Sequence, residues 1–260
     1  MKYVIIGPGS MGYYGFIGHM VKLHEDGQLD DLEEISGSSA GALAAFMYII
    51  GRTNIKKLVD ESINVELSKA MKINITNFVK RYGFIKWDKP RTILCNVCHE
   101  FLQLSDVTFE QLYKHTGVKL HISAYSLKKQ TCDYFSVDTT PNQSVIDSIC
   151  MSMSVPLLFE PYNDYIDGGI MEDIPYMPFI SKNVEDVYVI KLSTVKPQEY
   201  NGFFSYIMYI LSTFYVIRHK CPIIYPSFNF EISNTEMFNF NMTQKDKERI
   251  FLIGYRRYAF

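Results

Sequence analysis

Ile35-Ser36-Gly37-Ser38-Ser39-Ala40-Gly41-Ala42-Leu43-Ala44-Ala45 reads as the end of a short strand, a tight turn and the start of a helix built from small residues. Within it, Gly37-Ser38-Ser39-Ala40-Gly41 fits G-x-S-x-G, the pattern of a nucleophile elbow. A serine hydroxyl attacks well when it is lifted clear of its own backbone, which demands a strained turn. Glycines two before and two after remove the Cβ atoms that would collide there. The hydroxyl then stands at a helix N-terminus, where free N–H groups and the dipole favour negative charge. Ala40, Gly41, Ala42, Ala44 and Ala45 let that helix lie close to a sheet. A small-residue helix start with an incidental serine is the plainer reading of the same stretch, and the flanking sequence has to decide.

Upstream, Tyr3-Val4-Ile5-Ile6 is a continuous apolar run, as in a parallel strand buried on both faces. It ends in Gly7-Pro8-Gly9-Ser10-Met11-Gly12, a G-x-G-x-x-G, and a helix is predicted from about Tyr13 to Asp26 with Gly27 as its stop. Strand, glycine turn and helix N-terminus together aim backbone N–H groups at an anion. One reading is a dinucleotide fingerprint, which needs an acidic residue at the end of the next strand. Glu33 and Glu34 lie at about the right distance, but they precede Ile35, and the chain then turns into the serine elbow. The other reading is an oxyanion hole for acyl transfer, its donors held beside Ser39. Two adjacent parallel strands, each ending in a glycine turn, put both turns at one sheet edge. That pairing favours the oxyanion hole.

Downstream, helices are predicted over Asn54 to about Ser68, Asn74 to Tyr82, Asp88 to Leu104 and from Thr108 to Thr116-Gly117. Phe78-x-x-x-Tyr82-Gly83-Phe84-Ile85-x-Trp87 is rich in aromatics, either helix packing or an acyl-chain wall and lipid-facing rim. Leu120–Leu127 and Thr131–Val137 read as strands joined in a hairpin at Lys128-Lys129-Gln130, and a helix is expected from Thr139 to about Met153. Tyr165-Ile166-Asp167-Gly168-Gly169 ends a short apolar run in an aspartate and two glycines, suited to close backbone approach or to a simple Asx turn. Asp186–Ser193 is a clear strand, Cys221–Asn241 reads as loop, and Thr243–Tyr258 as a closing helix.

The chain has 260 residues, 47% of them hydrophobic, enough for one large core. A net charge of −2 gives no basic field for nucleic acid. Five cysteines form no dense framework and favour a reducing compartment. Cys95-x-x-Cys98 with His99 lies in an amphipathic helical stretch without a second ligand cluster, so it reads as structural rather than as a metal site. Tyr3 to Ile6 is too short for the core of a signal peptide. Phe203 to Ile217 is apolar but short of a full span, as for a buried helix or one lying on a membrane surface. A cytoplasmic protein that meets membranes peripherally is the expectation. No linker or repeat argues for a second domain.

Taken together, Gly7 to Gly12, Gly37 to Gly41, Ser154-Val155-Pro156-Leu157-Leu158-Phe159-Glu160-Pro161, and Asp167-Gly168-Gly169 with Asp173-Ile174-Pro175 resemble the patatin-like phospholipase family, in the family's order. The motifs span about residues 3–195, and the resemblance implies one domain over 1–260 with a helical C-terminal extension from about 202. It implies a three-layer α/β/α fold with a mostly parallel central sheet and a Ser–Asp dyad without histidine. It also implies hydrolysis of phospholipid or other acyl-lipid esters with no cofactor and no metal. Carried across, Ser39 is the nucleophile and Asp167 the proton acceptor. Gly7, Gly9, Ser10, Gly12 and Ala40 belong to the oxyanion hole, and Gly37, Gly41, Gly168 and Gly169 shape the two turns. The family loop commonly has glycine where Pro8 stands and a basic residue where Met11 stands, and usually asparagine at Asp173. Pro8 has no N–H to donate, which leaves Gly9 and Ser10 as the leading donors. The alternative is a conventional Ser39–Asp167–His219 triad, since only His219 follows Asp167. A non-hydrolytic nucleotide- or lipid-binding protein is a third reading.

Overall fold

The computed structural model describes residues 1–64, 70–195, 206–207, 209–210, 213 and 220–256. The chain opens with β1 (Tyr3–Ile6), α1 (Tyr13–Glu25), β2 (Glu34–Ser38) and α2 (Ala40–Gly51), the alternation the two glycine turns imply. There follow α3 (Ile55–Asn64), α4 (Ile75–Arg81), β3 (Gly83–Ile85), α5 (Asp88–Leu102), α6 (Phe109–Thr116), β4 (Lys119–Ser126), β5 (Thr131–Phe135) and α7 (Val145–Ser152). The rest comprises β6 (Leu157–Phe159), β7 (Tyr165–Asp167), β8 (Val187–Val195), β9 (Ser227–Ser233), α8 (Asn234–Met237) and α9 (Gln244–Tyr255).

The main sheet has the order β5-β4-β2-β1-β8-β9, with β7 also paired to β4. From β4 to β9 the neighbours are parallel, and only β5 and β7 run antiparallel to β4. Alternation along each strand sends side chains to opposite faces. Val4 and Ile6, Ile35, Leu120 and Ile122, and Tyr188 and Ile190 join the large core under the helices. Tyr3, Ile5, Val187 and Val189 face a smaller core closed by Ile174, Phe179 and Tyr225. The mixed α/β architecture with a mostly parallel, helix-flanked sheet is thus as expected.

Three expectations need correction. The helix predicted from Thr139 begins only at Val145, because Ser144 caps it through Asp147 N and the Val145 amide is tied to Val107 O. The stretch Cys221–Asn241 is not all loop: Ser227–Ser233 is strand β9, parallel to β8. Its Phe228, Phe230 and Ile232 alternate with Asn229 and Glu231, a period-two signal visible in the sequence. Gly83–Ile85 and Leu157–Phe159 also form a separate two-stranded parallel sheet that composition did not suggest. The aromatic stretch Phe203–Ile217 falls largely outside the described residues, as does the end of the helix expected to reach Ser68. No helix among the described residues is long and apolar enough to cross a membrane.

At the far end of the sheet from the glycine turns, Glu34 accepts hydrogen bonds from His121 Nε2 at 2.8 Å and Lys182 Nζ at 3.1 Å. The His121 bond, opposed by burial and reinforced by Lys182, holds the Glu34 carboxyl down at about 2. Its folded value lies below its ordinary 4.5, so the stabilisation is complete above pH 4.5 and is lost as pH falls through about 2. Glu34→Gln is expected to cost about 2–3 kcal/mol at pH 7 by this linkage and clearly less at pH 3. Urea unfolding at both values checks it, and an equal penalty at the two would sink the electrostatic account.

Candidate active site

Strand register brings the expected residues together. Ile6 pairs with Gly37, so β1 and β2 end level and their glycine turns share one sheet edge. On the other side of β2, Ser38 pairs with Ser123 of β4. The next residue of β4, Ala124, pairs with Asp167 of β7. Where β2 leaves the sheet into the elbow, β7 takes its place along β4 and delivers Asp167 to the position just vacated. Ser39 Oγ donates to Asp167 Oδ2 at 2.5 Å.

The elbow shows the strain that G-x-S-x-G suggests. Ser39 has φ 56° and ψ −128°, a region that non-glycine residues avoid. Gly41 is required by close approach, since a Cβ there would meet the carbonyl oxygens of Ile6 and Gly7. A hydroxyl absent from the sequence motifs holds the turn: Ser39 N donates to Ser152 Oγ at 2.8 Å, and Ser152 Oγ donates to Ser123 O at 2.6 Å. Ser152 thereby links the elbow, the last turn of α7 and β4. Its only sequence signal was a serine in the final turn of a mostly apolar helix.

Asp167 is fully buried. Its Oδ1 accepts from Gly169 N at 2.8 Å, which leaves Oδ2 directed at Ser39. A side chain at Gly168 would press on the Ser123 carbonyl, and one at Gly169 would strike the Pro8 ring. The Asp-Gly-Gly turn therefore packs against both β4 and the glycine loop.

In that loop the Gly7 amide donates to Ile190 O at 3.0 Å and the Gly12 amide to Gly9 O at 2.8 Å. Of the five residues expected at the oxyanion hole, Gly7 and Gly12 thus use their amides to shape the loop. Ser10 adopts φ 45°, and Met11 is buried beside it. The amides of Gly9, Ser10 and Ala40 make no hydrogen bond among the described residues. Ser10, Ser39 and Ala40 all line one cleft, whose walls are Met11, Leu43, Met71, Val155, Leu158 and Phe240. A cleft that combines Ser10, Ser39 and the start of α2 with mostly apolar side chains suits a carbonyl attached to a hydrocarbon chain.

The match to known sequences agrees with this geometry. Residues 8–180 match the patatin-like phospholipase family. The chain belongs to that family. It is 34% identical over 160 residues to the probable lipid hydrolase 463L of Invertebrate iridescent virus 6, covering 57% of this chain and 53% of that protein. It therefore spans about half the length of the curated relative it matches. Among solved structures, VipD from Legionella pneumophila superposes with a TM-score of 0.64 at 14% identity, covering 98% of this chain and 65% of VipD. ExoU, in its heterodimeric complex with SpcU from Pseudomonas aeruginosa, gives 0.50 at 16% identity, over 98% of this chain and 50% of the other. At those identities the likeness concerns the fold.

The departures from the usual patatin-like pattern have local partners here. Pro8 fits because its neighbour across the site is Gly169. Met11 adds apolar wall to the cleft. Asp173 accepts from Cys221 N at 2.9 Å, a backbone contact away from the Ser39–Asp167 pair. Of the aromatic run, Phe78 stacks on Phe84 at 4.4 Å and Trp87 on Phe159 at 4.6 Å, and Trp87 Nε1 donates to Ser154 Oγ at 2.9 Å. These rings are packing, as the first of the two readings had it, whereas Tyr82 is exposed.

The alternative readings meet specific obstacles. With 2.5 Å between Ser39 Oγ and Asp167 Oδ2, no imidazole stands between them; His219 itself lies outside the described residues. Glu33 and Glu34 stand at the start of β2, the opposite end from the glycine loop, where a ribose-binding acid has no ribose to reach. Burial pushes the Cys98 thiol up to about 12 and raises that of Cys95, while His99 on the same helix is exposed. Both thiols stay protonated, consistent with packing residues.

Proposed function

We propose that this chain hydrolyses carboxylic esters of lipids, a phospholipase A-type or lysophospholipase-like reaction, with Ser39 as nucleophile and Asp167 as its base. The observation that carries the reading is the direct 2.5 Å contact between Asp167 Oδ2 and the Oγ of Ser39, a residue that lines a largely apolar cleft. As Ser39 Oγ bonds to the ester carbonyl carbon, its proton passes to Asp167 Oδ2. The carbonyl oxygen becomes an oxyanion, which the Gly9, Ser10 and Ala40 amides receive at the N-terminus of α2. Collapse of that intermediate expels the alcohol, which takes the proton from Asp167 and leaves an acyl-serine. Water then repeats the sequence and releases the fatty acid. Each amide donor lost from such a site typically costs about 10²–10³ in rate.

The same reading treats residues 1–260 as one patatin-like domain with a helical C-terminal extension. It is supported by the packing of α9 on α1, where Gly254 meets Gly15 and Gly18 meets Phe251 too closely for any side chain. Its test is chemical. The purified chain is incubated with phosphatidylcholine vesicles and, separately, with a fluorophosphonate probe followed by peptide mapping. Fatty-acid release together with labelling at Ser39 is expected. Release without labelling of Ser39 would move the reaction to another nucleophile, and no release from any acyl lipid would end the hydrolase reading.

A further inference from the structure

The helix α4 is turned the wrong way round for a soluble surface. Ile75, Val79 and Tyr82 fall at i, i+4 and i+7, the spacing of a core-facing stripe. Instead they are 73%, 72% and 72% exposed, and Ile73 just before the helix is 60% exposed. The buried side is held by a polar residue: Asn77 is 3% exposed and donates through Nδ2 to Gly83 O at 2.7 Å. Asn74 caps the helix by accepting from Asn77 N, and Phe78 stacks on Phe84, so the orientation is fixed by hydrogen bonds and packing. Four large apolar side chains thus stand together in water, where scattered single ones would be ordinary.

Two features of the surroundings identify what covers them. Lys72, Lys80, Lys86 and Lys89 are exposed along the same stretch and form no ion pair among the described residues, in a chain whose net charge is −2. The patch also adjoins the cleft: Met71, next in sequence to it, lines the wall above Ser39, and β3, which follows α4, pairs with β6, whose Leu158 and Phe159 line the same wall. A short apolar helix with a lysine rim matches a bilayer carrying anionic headgroups, hydrocarbon meeting the aliphatic side chains and phosphate or carboxylate meeting the ammonium groups. A second copy of the chain fits poorly, since one two-turn helix offers far less than the roughly 800 Å² per partner of a stable interface.

We infer that Ile73, Ile75, Val79 and Tyr82 with their lysine rim form an anionic-membrane docking face that sets the mouth of the cleft against the lipid surface. The inference shares only the position of the cleft with the hydrolase reading, and its test separates the two. Binding is measured on the Ser39→Ala chain, so no hydrolysis is needed for the signal or erodes the vesicles. Cosedimentation uses sucrose-loaded vesicles of phosphatidylcholine, with and without about a third phosphatidylserine. The expected result is binding to the anionic vesicles that weakens as salt rises and shortens the screening length. Adding Ile75→Ser and Val79→Ser is expected to lower that affinity at least about tenfold, the scale of leaving two aliphatic side chains unburied, with an unchanged circular dichroism spectrum. Equal binding by the triple variant would overturn the docking face, and equal binding to neutral vesicles would overturn its anionic partner. So would a dimer on light scattering that Ile75→Ser and Val79→Ser dissolve, because the patch would then belong to a second copy.

Discussion

Ser39→Ala is expected to abolish ester hydrolysis, by about 10⁴–10⁶ in kcat as for loss of a nucleophile elsewhere, while the chain stays folded. The side chain removed is small, and among the described residues its hydroxyl makes one bond, to Asp167 Oδ2. What fixes the turn is left in place: the Ser39 amide still reaches Ser152 Oγ, and the glycines at 37 and 41 still admit the neighbouring backbone. The buried Asp167 loses one partner but keeps the Gly169 amide, so the melting temperature should move by no more than about 5 °C. Turnover of a p-nitrophenyl ester and of phosphatidylcholine, with circular dichroism melting on the same preparations, reads both halves. Wild-type turnover by the variant would remove Ser39 from the mechanism. A variant that fails to fold would show that the Ser39–Asp167 bond, rather than the Ser152 link and the glycines, holds the strained elbow.

The residues at the two glycine turns were legible from the sequence because their chemistry is local. A strained serine needs small neighbours at fixed offsets, and Gly37, Ser39 and Gly41 carry that requirement within five residues. The meeting of Ser39 with Asp167 was legible only through family resemblance. The physical cause is the handover from β2 to β7 along β4, a long-range pairing that no local pattern encodes. Ser152 was missed for the same reason, since its role depends on α7 ending beside the elbow. At the oxyanion loop a G-x-G-x-x-G says where amides cluster, but which of them are already bonded, as at Gly7 and Gly12, depends on the strand and turn around them. Which face of α4 is buried was not legible from spacing: Ile75, Val79 and Tyr82 fall at core-like intervals yet are exposed, and Asn77 is buried in their place. In β9 the alternation is present but is masked by the asparagines and prolines around it.

Asp167→Asn is expected to lower turnover by about 10²–10⁴, the usual worth of a positioned general base, and the geometry says why a near-isosteric amide cannot replace the carboxylate. The Gly169 amide donates to Oδ1, so it selects the oxygen of an introduced asparagine for that place. The amide NH2 must then occupy the position of Oδ2 and present a donor to Ser39 Oγ. A hydroxyl facing a donor has nothing to give its proton to, so attack stalls although the shape of the site is kept. His219→Ala supplies the comparison. In a dyad no imidazole carries the proton, and that variant should keep most of its activity. In a triad the imidazole is the direct base, and its loss would be as damaging as that of Ser39. Measured on one soluble ester, with folding confirmed by circular dichroism, an active Asp167→Asn beside a dead His219→Ala would replace the dyad with a histidine-mediated mechanism.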